Sequence, residues 1–271
     1  MDTHWELSDD DDSVPSTVSD PASDSPGTVV VVIPARNEAS RIALTVLAAR
    51  KLPRVGPIVV VDDGSTDSTW RVAEESGARV LRLPHPVGRA EAQRRGVVAA
   101  RETAGSGRLC LLFLDADLGA SAAEAAALLA PVLAGTADVA LGVPTGGSTG
   151  GSGVGPGGGS ATVAAGAASR RARLGIRRAT GFDASYPLAG ELCLGAAAFG
   201  AIAPQLSSPV ATGPGLIIDL LRQDFRVVEV PLALAHRPSR HGLQAGLRAG
   251  LRELRRYREV GRELSARQNS R

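Results

Sequence analysis

Little in this chain points to a secreted, membrane-spanning or nucleic-acid-binding protein. Its 271 residues include two cysteines, Cys110 and Cys193, each in an apolar stretch. That argues against a disulfide framework or a cysteine-based zinc site and fits a reducing cytoplasm. No uninterrupted apolar run reaches the roughly 20 residues needed to span a bilayer. The first residues are acidic rather than basic and then apolar, so no signal peptide is expected there. Aromatic residues make up only 3% of the chain, too few for the stacking platforms of single-strand binders, and nucleic acid is not expected as a partner. Lys and Arg are missing from Met1 to Gly27, where Asp, Ser and Pro dominate and Asp9 through Asp12 form a run. Residues 1–27 are therefore expected to be a disordered acidic tail. With its eight acids set aside, 20 acids oppose 30 basic residues in the rest of the chain, a net charge of +10. That balance suits anionic, phosphate-bearing substrates.

What is present is a repeating alternation. Val29–Ile33 is a continuous apolar run followed by Pro34-Ala35-Arg36-Asn37-Glu38, after which Ile42, Val46 and Leu47 recur at helical spacing. Pro57–Val61 repeats the pattern, followed by Asp62-Asp63-Gly64-Ser65-Thr66-Asp67 and an amphipathic segment through Trp70, Val72 and Ala73. A third strand is predicted over Ala78–Leu83, a helix from about Arg89 to Thr103, a fourth strand from Leu109, and a fifth over Ala137–Val143. Strands alternating with helices predict an α/β fold with right-handed crossovers and one mostly parallel sheet flanked by helices. Such sheets bind ligands beyond the carboxyl ends of their strands, where all the polar clusters would lie.

The fourth strand ends in Asp115-Ala116-Asp117. Two carboxylates at a strand tip can hold a hard divalent cation, and Mg²⁺ commonly rests on substrate phosphates as well as protein oxygens. The competing reading makes Asp117 the cap of a helix starting near Ser121, with Asp115 bonding a turn.

Taken together, VVVVIPARNEASRI, IVVVDDGSTDST and LFLDADLGAS resemble the family-2-like nucleotide-sugar glycosyltransferases of GT-A fold over about Val29 to Val143. The segment Gly181 to Arg237, with YPLAGE and VVEVPLALAHR, is also similar to that family. The resemblance implies a nucleotide-binding half and an acceptor-binding half within one domain spanning residues 28–240. It implies that Pro34, Ala35, Asn37 and Glu38 line the pocket for nucleobase and ribose. Asp63 or Asp62 would fix the base edge with Ser65 beside it, and Arg89 would stand against the donor. Asp115, with Ala116 beside it, would contact ribose or sugar, while Asp117 would hold Mg²⁺ or Mn²⁺ with His236 completing the metal shell.

This chemistry needs those residue types. A departing nucleoside diphosphate accumulates negative charge, which a divalent ion stabilises strongly. If the reaction inverts the anomeric centre, a carboxylate would serve as base unless the acceptor is an ionised phosphate. Glu191 and Asp219 are the candidates. Each assignment has a structural counterpart: Ser65 or Thr66 could open the next helix, Glu38 could favour a helix's positive end, Arg89 could be solvated, and His236 could be structural.

Two further segments are distinctive. Residues 144–162 are almost entirely Gly, Ser, Thr and Pro, and are expected to form a flexible loop. With Arg170-Arg171-Ala172-Arg173 it could form a lid over the site, or be a surface insertion. Residues 241–271 read as an Arg-rich amphipathic helix carrying Leu243, Leu247, Leu251, Leu254, Tyr257 and Leu264 on one face. Three placements compete for it: packing on the domain, a homodimer contact, and an anionic membrane surface.

The reading that unites these features is a metal-dependent hexosyltransferase using a UDP- or GDP-sugar. Its acceptor would be a polyprenyl phosphate or a small phosphorylated acid such as 3-phosphoglycerate, and its location the cytoplasm or the inner face of the membrane. Two alternatives are a sugar-nucleotide-forming nucleotidyltransferase and a non-catalytic nucleotide-sugar-binding protein. The former would be expected to carry a Gly-rich basic loop where Pro34–Glu38 stands.

Overall fold

The computed structural model describes residues 28–104, 108–145, 159–202 and 213–236, together with Arg258 and Gly261. The expected acidic tail, most of the Gly-rich loop and nearly all of the expected C-terminal helix lie outside the described residues.

Among the described residues, seven strands form one sheet: β1 (Thr28–Ala35), β2 (Val55–Asp62), β3 (Arg79–Arg82), β4 (Leu109–Phe113), β5 (Val139–Pro144), β6 (Leu192–Leu194) and β7 (Val227–Leu232). Their spatial order is β3-β2-β1-β4-β6-β5-β7. Six strands run the same way, and β6 is antiparallel to both its neighbours, β4 and β5. The mostly parallel sheet expected from the alternating pattern is therefore present.

The continuous apolar runs exist because both faces of the sheet are covered. Val30 and Val32 of β1 belong to a core shared with α3 (Arg89–Ala104), α5 (Gly159–Thr180), α6 (Ala196–Ile202) and α7 (Pro214–Arg222). Val29, Val31 and Ile33 point the other way, into a core shared with α1 (Ile42–Ala49), α2 (Thr69–Glu75) and α4 (Ala126–Leu133). α3 sits tightly on the sheet at Gly96, where a Cβ would stand 2.5 Å from Val32 Cγ1 and 2.9 Å from Val61 Cγ2.

Several expectations need correction. Leu47 does not share the inward face of α1: Ile42, Val46 and Ala49 form it, and Leu47 is 47% exposed. The Gly-rich loop ends sooner than residue 162, because α5 already begins at Gly159. Arg170 to Arg173 are helical, so that part of the imagined lid is not a loop. Ala168, Ala172 and Ile176 form the buried stripe of α5 at helical spacing. No helix starts with Asp117 as its cap either; a 3-10 helix over Gly119–Ala125 follows Leu118, which makes no side-chain capping bond. Among the described residues, no helix is long and apolar enough to cross a membrane.

Candidate active site

Topology alone brings the polar clusters to one edge. β1, β2 and β4 run parallel, so Pro34-Ala35, Asp62-Asp63 and Asp115-Ala116-Asp117 all leave the sheet at the same end. β7 runs parallel to β5, and its exit delivers His236 to that end too. The antiparallel β6 does the reverse: Leu192 pairs with Phe113 and Leu141, so Glu191, just before the strand, starts where β4 finishes.

Asp115, Asp117 and His236 converge there, with one ligand atom from each lying within 4.8 Å of the others. His236 Nδ1 is 3.1 Å from Asp117 Oδ1 and 4.0 Å from Asp115 Oδ2, and its Nε2 lies 4.0 Å from Glu191 Oε1. The hydrogen bond to Asp117 raises the imidazole pKa; burial opposes this, and the charges of Glu191 and Asp115 reinforce it. Glu191 is only 1% exposed. Burial first, and then the Asp115 charge, push its carboxyl up to about 8, against the influence of His236 and Arg89. Its buried Oε1 has no hydrogen-bond partner among the described residues.

The donor set fits a divalent cation. Two carboxylates and an imidazole offer two hard oxygens and one nitrogen, a mixture that Mn²⁺ accepts readily and Mg²⁺ less so. If Nδ1 faces the cation, Nε2 is left towards Glu191, an outer carboxylate of the kind that orients metal-bound histidines.

Arg89 opens α3 and pairs with Asp115; its guanidinium also donates to the Gly190 carbonyl at 3.3 Å. Gly190 leaves room for this pair, since a Cβ there would stand 2.8 Å from Asp115 Oδ2 and 3.1 Å from Arg89 Nη2. Arg89 is thus a partner of the site rather than only a solvated helix residue. The loop before it is held by Asp63, whose carboxylate accepts from the backbone N–H groups of Val87 at 2.6 Å and Gly88 at 3.1 Å. Asp62 is buried; its Oδ1 accepts from the Ser65 N–H at 3.1 Å, while Oδ2 has no hydrogen-bond partner and lies 3.7 Å from Arg82 Nε.

Asn37 and Ser65 join the first two loops. The Asn37 N–H donates to Ser65 Oγ at 3.0 Å, and Asn37 Oδ1 accepts from the Thr66 N–H at 2.9 Å. Asn37 adopts a left-handed φ of 56°, which asparagine tolerates better than most residues. The Glu38 N–H donates to Thr69 Oγ1 at 2.8 Å. Neither Ser65 nor Thr66 opens a helix, because α2 begins at Thr69 and Asp67 accepts from the Thr69 N–H at 3.0 Å. Pro34 and Ala35 end β1 directly beneath this clip, and Ala116 is buried between the two acids. Asp219 lies on α7 and is not part of the three-residue ligand group.

The sequence pattern did not anticipate three supporting residues. Thr45 Oγ1 donates to the Ala116 carbonyl and accepts from the Gly119 N–H, both at 2.8 Å, and so braces the Asp-Ala-Asp turn from α1. Arg41 and Ser121 reach the segment that carries His236. A hydroxyl on the inward, otherwise apolar face of α1 was the available signal for Thr45. Arg41 and Ser121 had none, since their partners are backbone atoms distant in sequence.

The family model for glycosyl transferase family 2 matches residues 30–180. No curated protein matches the chain. Solved structures similar to it include glucosyl-3-phosphoglycerate synthase from Mycobacterium tuberculosis in complex with phosphoglyceric acid, at 26% identity and a TM-score of 0.55, covering 87% of this chain and 81% of that one. The same enzyme with Mn²⁺, UDP-glucose and phosphoglyceric acid is 25% identical with a TM-score of 0.58, covering 89% and 82%. Mannosyl-3-phosphoglycerate synthase from Rubrobacter xylanophilus shares the fold at 24% identity and a TM-score of 0.60, covering 89% and 74%.

Proposed function

This chain belongs to glycosyl transferase family 2, and on that premise we propose that it moves a hexose from a UDP- or GDP-sugar to a small phosphorylated acid of the 3-phosphoglycerate kind. The observation that carries the reading is the convergence of Asp115, Asp117 and His236, from two distant parts of the chain, on the edge where the nucleotide-binding loops meet. The similar solved enzymes with UDP-glucose and phosphoglyceric acid support this choice of donor and acceptor over a polyprenyl phosphate.

Asp115, Asp117 and His236 would hold Mn²⁺ or Mg²⁺, which when bound offsets the charge that develops on a leaving diphosphate. Asn37, Pro34, Ala35 and Glu38 shape the nucleoside side of the pocket, with Ser65 closing it from the second loop. Asp63 or Asp62 would fix the base edge; Oδ2 of Asp62 is buried and faces Arg82 at 3.7 Å. Asp63 contributes by holding the loop that aims Arg89. Arg89 supplies positive charge beside Asp115 and fixes that carboxylate. Of the two acids considered as a base, Glu191 is the one within the cluster, its Oε1 4.0 Å from His236 Nε2. Asp219 takes no part in this scheme.

The test is transfer of labelled hexose from UDP-glucose and from GDP-mannose to 3-phosphoglycerate, with Mn²⁺ and after chelation. Cation-dependent formation of a hexosyl-phosphoglycerate, abolished in Asp117→Ala although that variant keeps its circular dichroism, is the expected outcome. Transfer to polyprenyl phosphate alone would overturn the acceptor assignment. Nucleotide-sugar binding without transfer to either acceptor would favour a binding protein instead.

A further inference from the structure

His236 has an unusual distance to cover. It leaves β7, three strands from β4 in the sheet order β4-β6-β5-β7. At the usual strand spacing of about 4.8 Å, that separation is about 14 Å. Residues 233–236 must therefore cross the tips of β5 and β6 before Nδ1 can lie 3.1 Å from Asp117. A four-residue segment without regular structure has no internal hydrogen bonds to keep it there.

Leu234 is buried in the core, and two polar side chains hold Ala235, both using the same anchor. Arg41 Nη2 donates to the Leu118 carbonyl at 3.2 Å and to the Ala235 carbonyl at 2.9 Å. Ser121 Oγ donates to the same Leu118 carbonyl at 2.8 Å and accepts from the Ala235 N–H at 3.0 Å. Leu118 directly follows Asp117, and Ala235 directly precedes His236. Both peptide groups of Ala235 are thus tied, by two independent bridges, to the residue after the second acid. Thr45, one helical turn beyond Arg41, braces the other side of the same turn.

We propose that Arg41 and Ser121 are positioning residues that staple the His236 segment to the Asp-Ala-Asp turn and thereby preset the site for its divalent cation. This rests on the metal reading given above. Neither side chain touches the cation; each acts through backbone atoms next to a ligand. Losing one bridge leaves Ala235 held by the other, so single substitutions weaken binding and the double substitution exceeds either. Outer partners of metal ligands typically change affinity by about 10-fold to 100-fold. About tenfold is expected for each single variant.

The experiment is Mn²⁺ titration of the full chain, followed by electron paramagnetic resonance of the free ion, with melting temperature measured separately in EDTA. Arg41→Met, Ser121→Ala, the double variant, Ser121→Thr, His236→Ala and the wild type are compared. The inference expects Ser121→Ala and Arg41→Met to lose about tenfold in Mn²⁺ affinity, the double variant more, and Ser121→Thr, which keeps the hydroxyl, to bind like the wild type. If Arg41→Met fails to fold, Ser121→Ala against Ser121→Thr still decides the matter. Wild-type affinity in Ser121→Ala and in any folded Arg41→Met, alongside a clear loss in His236→Ala, would overturn the staple and leave the metal site standing. A wild type that takes up no Mn²⁺ would overturn the metal site and the staple together.

Discussion

Glu191 concentrates the physical tension of the site. It is a buried acid with an oxygen outside any hydrogen bond, beside the negative Asp115. Its pKa is pushed up to about 8 from an ordinary 4.5, so the folded chain holds that proton more tightly than the unfolded chain. Stability of the metal-free protein should therefore fall as pH rises from about 4.5 to about 8, then level off. His236, also raised, adds stability that is present below its ordinary value and is lost as pH climbs through the folded value, which is the same direction. Glu191→Gln removes the larger part of this dependence. Scanning fluorimetry in EDTA should show a flatter profile for the variant and a higher melting temperature than the wild type at pH 8. Parallel profiles would contradict the assignment. Gly190→Ala tests the neighbouring crowding: a Cβ 2.8 Å from Asp115 Oδ2 must displace the carboxylate or Arg89. Displacements of about 1 Å can cost 100-fold in rate, and a loss of about that size in kcat/KM is expected from steady-state assays, with a far smaller change in melting temperature. Asp115 and Asp117 stood out in the sequence because they end an apolar run, whereas His236 was singled out only by the family resemblance. The roles of Arg41 and Ser121 were not legible there, because their partner Ala235 is 194 and 114 positions away in the chain.

Helices and strands divide along similar lines. β1, β2 and β4 could be read directly, since a strand covered on both faces has few choices but Val, Ile and Leu. β6 could not: three residues carry no period, and its direction is set by partners on either side. α5 was obscured by composition, because its first turns are built from the same Gly, Ser, Thr and Ala that make a linker, and only the buried Ala168, Ala172 and Ile176 reveal its inward stripe. The alternative that Ser65 or Thr66 opens α2 fails because those polar residues are engaged with Asn37 instead. The tight seat of α3 yields a prediction at this scale. Gly96→Ala would usually favour a helix by up to about 1 kcal/mol, yet here the added methyl meets Val32 and Val61. Overpacking of that kind costs about 1–3 kcal/mol. A net fall in urea midpoint is expected, and a rise would show that α3 can move off the sheet.

For the molecule as a whole, charge and topology point the same way. Beyond the acidic first 27 residues the chain carries a net +10, of which +7 belongs to residues 237–271, and that excess is expected to draw in an anionic donor and an anionic acceptor. Such a field raises local substrate concentration and is screened by salt, with a Debye length near 10 Å at 0.1 M and about 3 Å at 1 M. The KM for a phosphorylated acceptor should therefore rise severalfold between 50 mM and 500 mM NaCl, with kcat little changed. A KM indifferent to salt would show that long-range charge plays no part in capture.

The single reversed strand has a wider consequence. With β6 running against its neighbours, the stretch leading into it emerges among the tips of the parallel strands and ends at Glu191. Residues 182–189, which have no helix or strand among them, are thus delivered to that edge by the reversal of β6 and not by β1, β2 or β4. If the chain acts as proposed, the recipient of the sugar would meet that segment, apart from the strands that carry the departing nucleotide.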